Sequence, residues 1–198
     1  MNIFTKAIII TENIIKDKLV ERLSLELKEA LNNNLHIYSK NTLDFNLVLI
    51  YTNKENIKTS FNYLKNNYEI IKVLSLWSSL ALDNLDLLDG DIIVPNTIIN
   101  TKNEAIFLDY IVDTNYDFNK FWLILNGICL TLDNELKDEN EVFNLKENFV
   151  WEIIDFDAFL IATEMKNNVF LDKWIIIKII WKNDDFIQNW IDILEFIL

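Results

Sequence analysis

Glycine is nearly missing from this sequence: two residues in 198, Gly90 and Gly127, where average usage is about 7%. Glycine-rich loops let backbone N–H groups approach a phosphate or a ribose closely, and such a cradle cannot be built here. Arginine is also scarce, with Arg22 the only one. The bidentate forks that usually hold phosphate are therefore limited to one at most. The lone cysteine, Cys129, rules out an internal disulfide, and nothing points to an oxidising compartment. With one histidine, His36, and one cysteine, no zinc constellation exists, so no metal is expected. No Ser/His/Asp arrangement can be assembled with conviction. Positive charge is in deficit too, and the net charge of −13 disfavours nucleic acid and anionic membrane surfaces as partners.

The apolar fraction of 51% against 25% charged residues is that of a globular chain. Its length fits one domain, 1–198, and no Pro/Gly/Ser linker divides it. The segment Met1–Ile10 carries Lys6 in its middle and does not read as a signal peptide. The longest apolar stretch, Trp174–Trp181, is interrupted by Lys178 and falls far short of the roughly 20 residues that span a bilayer. A cytoplasmic location is the expectation.

Periodicity alternates strands with helices. Ala7–Ile10 reads as a buried strand. Ile15, Leu19, Leu23, Leu27 and Leu31 then recur at helical spacing, which predicts a helix from about Asn13 to Leu31. Leu35–Ser39, Phe45–Tyr51 and Ile70–Leu76 read as strands, and Thr52 or Asn53 can cap a helix bearing Ile57, Phe61 and Leu64. Strands are further expected at Asp91–Ile99, Ala105–Val112, Phe121–Thr131, Val150–Ile154 and Trp174–Trp181. Helices are expected near Asp138–Glu147, after Asp155 or Asp157, and over Asp184–Leu198. Continuous apolar strands alternating with helices indicate a mostly parallel α/β sheet covered on both faces. The terminal helix is apolar over more than one stripe, from Phe186 to Leu198, which favours a homo-oligomer.

Three stretches, in order, resemble segments of the purine nucleoside phosphorylase/methylthioadenosine nucleosidase superfamily. Leu88-Asp89-Gly90-Asp91-Ile92-Ile93-Val94-Pro95 is similar to that family's strand entry, in which Gly90 would turn the chain and Pro95 end the paired segment. Asn126-Gly127-Ile128-Cys129-Leu130-Thr131-Leu132-Asp133 resembles the segment that brings residues to the base pocket. Ile154-Asp155-Phe156-Asp157-Ala158-Phe159 resembles the "V-D-M-E-[AG]-[FA]" run. The resemblance implies a nucleoside phosphorylase-like three-layer α/β/α sandwich around a mostly parallel twisted sheet, with a purine nucleoside or base as ligand and no cofactor.

It also implies roles residue by residue. Phe156 stands at the Met that packs on the ribose, and Asp157 at the Glu that binds its hydroxyls. The structural alternatives are a buried aromatic and a helix cap. Asp133 stands at the base-pocket Asp, with a turn residue as the alternative. Leu136 occupies the base-stacking aromatic's place and cannot stack, although Phe143 lies nearby. Ile177–Asp185 resembles "[IV]-[RK]-x-[IV]-S-D-x-A-D", which puts Trp181 at the Ser and Lys182 at the catalytic Asp. A lysine with an ordinary pKa of about 10.4 is a poor general acid at neutral pH. Asp185 matches the pattern's second acid, and both Asp184 and Asp185 read equally as helix-start residues.

Tyr51–Ser60 looks like the family's helix entry with both glycines replaced, and Leu74–Leu82 stands at the phosphate/ribose loop with no glycine at all. The nucleosidases also carry a water-activating Glu near the first strand. Glu12 is the only acid there, and it matches that position only with a gap. These features imply N-glycosidic bond cleavage, hydrolytic rather than phosphorolytic, with catalysis reduced or lost. A non-catalytic nucleoside-binding or structural relative is the alternative.

Overall fold

The computed structural model describes residues 4–81, 91–108, 123–134, 139–149, 152–168 and 174–180. Its frame is set by strand β1 (Thr5–Ile10), which lies between β4 (Asn46–Tyr51) and β5 (Ile70–Ala81) and pairs in parallel with both. Alternate β1 residues serve opposite faces. Ala7 and Ile9 join the core that holds Ile57, Phe61 and Leu64 of α2 (Ile57–Asn67) and Ile161, Ala162 and Met165 of α4 (Ala158–Asn167). Ile8 and Ile10 join a second core with Ile15 and Leu19 of α1 (Asn13–Leu23). All of these side chains are buried. A period of two with both faces apolar is what a sheet covered on both sides demands, and the expected α/β/α layering follows.

The sheet has ten strands in mixed order, and most paired positions lie in parallel ladders. Beyond β4 it continues antiparallel through β3 (Leu35–Asn41) to the edge strand β2 (Glu26–Asn32). On the other side, β5 pairs with β10 (Trp174–Ile180), then β6 (Ile92–Asn100), β8 (Leu123–Thr131) and β9 (Ile153–Asp155). Strand β9 returns to β5 at Leu80–Ile154 and Ala81–Ile153, so five strands close on themselves. The short β7 (Ala105–Phe107) hangs on β6, and α3 (Glu139–Asn148) lies between β8 and β9 in the chain. Ring closure is what brings β9 and β10, distant in sequence from β1, to the end of β5.

Two expectations need correction. The helix from Asn13 does not reach Leu31. It ends at Leu23 with Ser24 in the left-handed region (φ 51), closed by bonds from Ser24 N to Glu21 O and from Leu25 N to Val20 O. Leu27 and Leu31, which continue the helical spacing, are exposed on β2. Tertiary pairing with β3 overrides the local period. Pro95 does not end its paired segment either. It sits at a double register shift of β6 against β8, where a residue without an N–H is tolerated, and the ladder runs on to Asn100. Of the strand expected over Ala105–Val112, Ala105–Phe107 pairs with β6, and 109–112 lie outside the described residues. The terminal helix expected at 184–198 and the turn at Gly90 lie outside the described residues. Among the described residues no helix is long and apolar enough to cross a membrane.

Gly127 faces Pro95 across this irregularity. A Cβ there would lie 2.9 Å from Cγ2 of the fully buried Ile93. That methyl belongs to a β-branched side chain with little freedom to move. Gly127→Ala is therefore expected to lower stability by about 1–3 kcal/mol, read as a fall in the urea midpoint at unchanged m-value; an unchanged midpoint would show that the strand yields freely.

Candidate functional site

The site is organised around Asp155, the last residue of β9 and itself buried. Its Oδ1 accepts from Thr131 Oγ1 at 2.9 Å, which ties β9 to the end of β8. Its Oδ2 accepts from the backbone N–H of Ala158 at 2.8 Å and from Lys178 Nζ in a close ion pair. Thr131 Oγ1 in turn accepts from the N–H of Phe159 at 2.9 Å. The first two amides of α4 are thus satisfied by Asp155 and Thr131, as the orphan donors of a helix N-terminus require.

This settles what Asp157 is not doing. Asp157 occupies the N-cap position of α4, yet its side chain makes no capping bond. Its Oδ1 is buried and has no hydrogen-bond partner among the described residues. Burial pushes its pKa up, and the charge of Asp155 adds to this, while Lys178 and Lys54 pull it back.

Lys178 stands alone among isoleucines on β10 and is fully buried. Burial draws its pKa down, but attraction from Asp155 and the neighbouring Cys129 and Asp157 outweighs this, leaving it raised and the ammonium charged. The Cys129 thiol is pushed well up, first by burial and then by Asp155, so it is an inert neighbour.

Glu12 completes the group. It stands two residues after the end of β1 and directly before α1, again at an N-cap position without a side-chain cap. Instead its Oε1 reaches across to β5, accepting from Ser78 N at 2.8 Å and from Ser78 Oγ at 2.6 Å. Its Oε2 is buried without a partner among the described residues. Burial raises its pKa; the two bonds from Ser78 and the charge of Lys178 oppose the rise, and Asp157 adds to it. Two carboxylates, each with an unsatisfied oxygen, therefore share one electrostatic neighbourhood with one buried ammonium. Unsatisfied buried carboxylate oxygens are costly in a finished core. Each can accept a hydrogen bond from a hydroxyl group or a water.

The other residues singled out from the sequence are more dispersed. Phe156 is half-buried and packs on Leu130, Leu132 and Ile154 together with Phe149. Asp133 is exposed in the turn after β8, where its backbone O accepts from Lys54 Nζ and its Oδ2 from Thr101 Oγ1, both at 3.4 Å. Phe143 lies on α3, with its side chain outside the described part of the structure. Lys182, Asp185, Leu136 and Trp181 all lie outside the described residues. His36 makes an edge-on ring contact with Tyr38 and a tilted one with Tyr51 on the β3–β4 pair, a structural place. Asn53, not Thr52, caps the turn that leads into α2. Among the described residues no group of three or more His, Cys, Asp and Glu side chains could hold a metal ion.

What the sequence reading underused was Glu12, Ser78 and Lys178. Two signals were available: an acid two residues after an apolar strand, and a single charge inside an isoleucine run. Neither reveals that strands β1, β5, β9 and β10 meet.

No protein-family model matches the chain, and no curated protein matches it. Solved structures do. Futalosine hydrolase of Helicobacter pylori strain 26695 superposes with a TM-score of 0.77 at 13% identity, over 98% of this chain and 97% of that one. The 5'-methylthioadenosine/S-adenosylhomocysteine nucleosidase of Neisseria meningitidis, in complex with methylthio-immucillin-A, gives 0.71 at 14% over 97% and 91%. The Helicobacter pylori enzyme of the latter kind gives 0.72 at 12% over 96% and 93%.

The carboxylate pair raises a stability expectation with a definite sign. In the unfolded chain Glu12 ionises near its ordinary value of 4.5, whereas in the folded protein it holds its proton to higher pH. Between the two values the native state binds more protons, so stability falls as pH rises through that window. Glu12→Gln removes the penalty. It should raise Tm at pH 7 to 8 by roughly 2–4 °C for each 1 kcal/mol gained, and the gain should vanish below about pH 4.5. A melting series from pH 4 to 8 in which the variant is less stable throughout would contradict this. In architecture, this chain has the fold of these solved nucleosidase and futalosine hydrolase structures.

Proposed function

We propose that this protein binds a purine nucleoside or a methylthioadenosine-like nucleoside and cleaves its N-glycosidic bond by hydrolysis. The observation that carries this reading is the pair of buried carboxylate oxygens without a partner among the described residues, Glu12 Oε2 and Asp157 Oδ1, beside the charged Lys178. Asp157, released from capping duty, accepts the ribose hydroxyls. Glu12, held by Ser78 through one oxygen, uses the other to orient a water and take its proton as the water oxygen attacks the anomeric carbon. Its raised pKa brings it towards the working range of a general base at neutral pH. Phe156 supplies an apolar platform for the sugar, and Asp133 and Phe143 lie on the side of the base.

Phosphate as the attacking group fits poorly. Glu12 already places negative charge where a nucleophile would stand, and the segment at Ser75–Ala81 is regular strand instead of a glycine-rich cradle. On the leaving-group side the chain differs most from the resemblance, because Lys182 stands at the general acid's place. That substitution favours slow turnover, and in its extreme form a second reading in which the protein binds a nucleoside without cleaving it. We further read the protein as cytoplasmic and homo-oligomeric, the latter directly measurable by light scattering.

The test is incubation with methylthioadenosine, adenosine and inosine, with and without phosphate, following free base. Slow, phosphate-independent release that disappears in Glu12→Gln is expected. Tight binding without release would favour the second reading, and neither binding nor release of any of the three would overturn both.

A further inference from the structure

We propose that Thr131 is a positioning residue: by capping helix α4 from the end of strand β8, it keeps the Asp157 carboxylate free for ligand. The inference rests on the reading of Asp157 as the ribose-binding group, and it adds the device that makes that role possible.

An acid at an N-cap normally turns its side chain back onto the amide of the second or third helical residue. Asp157 is so placed, and the second helical residue is Phe159. The Phe159 amide, however, is already taken by Thr131 Oγ1 at 2.9 Å, and the Ala158 amide by Asp155 Oδ2 at 2.8 Å. Thr131 holds its place because its own proton goes to Asp155 Oδ1 at 2.9 Å, which orients its lone pair toward the helix. Thr131 is itself buried and belongs to another element, so this cap cannot fray with the helix. At the first two amides of α4 the competition is therefore decided against Asp157 by residues that touch no ligand. Remove the Thr131 hydroxyl and the Phe159 amide is orphaned, open to capping by Asp157 from its N-cap position.

Thr131→Val deletes the hydroxyl while keeping the shape and leaving the charge of Asp155 in place. Thr131→Ser restores the hydroxyl. The readout is the ¹³C carboxyl titration of Asp157, assigned by its loss in Asp157→Asn, together with adenosine binding to the same samples. A carboxylate that accepts an amide hydrogen bond has a lowered pKa. The Asp157 titration is thus expected to move to lower pH in Thr131→Val and to stay unmoved in Thr131→Ser. Adenosine affinity should weaken by roughly 10- to 100-fold in the valine variant only. A valine variant with an unmoved Asp157 titration would overturn the inference.

Asp157→Ala provides a second measurement should the valine variant fail to fold. With the cap held by Thr131, this variant should keep or gain Tm, whereas a drop of several degrees would mean that Asp157 is itself the cap and would overturn the inference. If the wild-type protein binds no adenosine while the carboxyl titration behaves as described, the nucleoside reading fails and the capping device stands.

Discussion

The buried ion pair of Lys178 with Asp155 is the constraint on which the rest of the site depends. Both partners are removed from water, and a charge so placed is tolerated only when paired and hydrogen-bonded. Asp155 meets that condition by distributing its oxygens over Lys178, Thr131 and the first amide of α4. Three separate elements, β8, β10 and α4, are thereby held to the end of β9. The ammonium also opposes the rise in the pKa of both Glu12 and Asp157, so it keeps two mutually repelling carboxylates within one pocket of charge. A lysine serves here as a point charge without the planar fork of an arginine, in keeping with a chain that has a single arginine elsewhere.

The scarcity of glycine shapes how such a site can bind anything. Among the described residues, left-handed backbone is taken by Ser24 and Asn103. Gly127 is required by close approach to Ile93, not by a turn. Among the described residues, the buried side-chain polar atoms without a hydrogen-bond partner are all oxygens, those of Glu12 and Asp157 included. A chemistry of hydroxyl groups and water fits that inventory better than one of phosphate.

Much of the fold was legible because buried parallel strands write themselves as apolar runs: β1, β4, β5 and β10 all appear as such. The helix after β1 was over-extended because Leu27 and Leu31 continue a period that only pairing with β3 breaks. Within the site, Asp157 could be singled out from its neighbours in sequence, but its freedom from capping could not. That depends on Thr131, 26 positions earlier, reaching the Phe159 amide. Glu12 was harder still. Its meaning comes from Ser78 and Asp157, 66 and 145 positions away, and ring closure of the sheet is what assembles them.

That the site hangs on the ion pair is tested most directly by a double-mutant cycle on unfolding free energy with Lys178→Met, Asp155→Asn and the two together. Each single change leaves a buried partner unpaired and should cost about 3–5 kcal/mol. The double variant should recover a substantial part of the summed loss, because no uncompensated charge remains. Losses that simply add, with no recovery in the double variant, would contradict the claim that these two residues stabilise the site through one another.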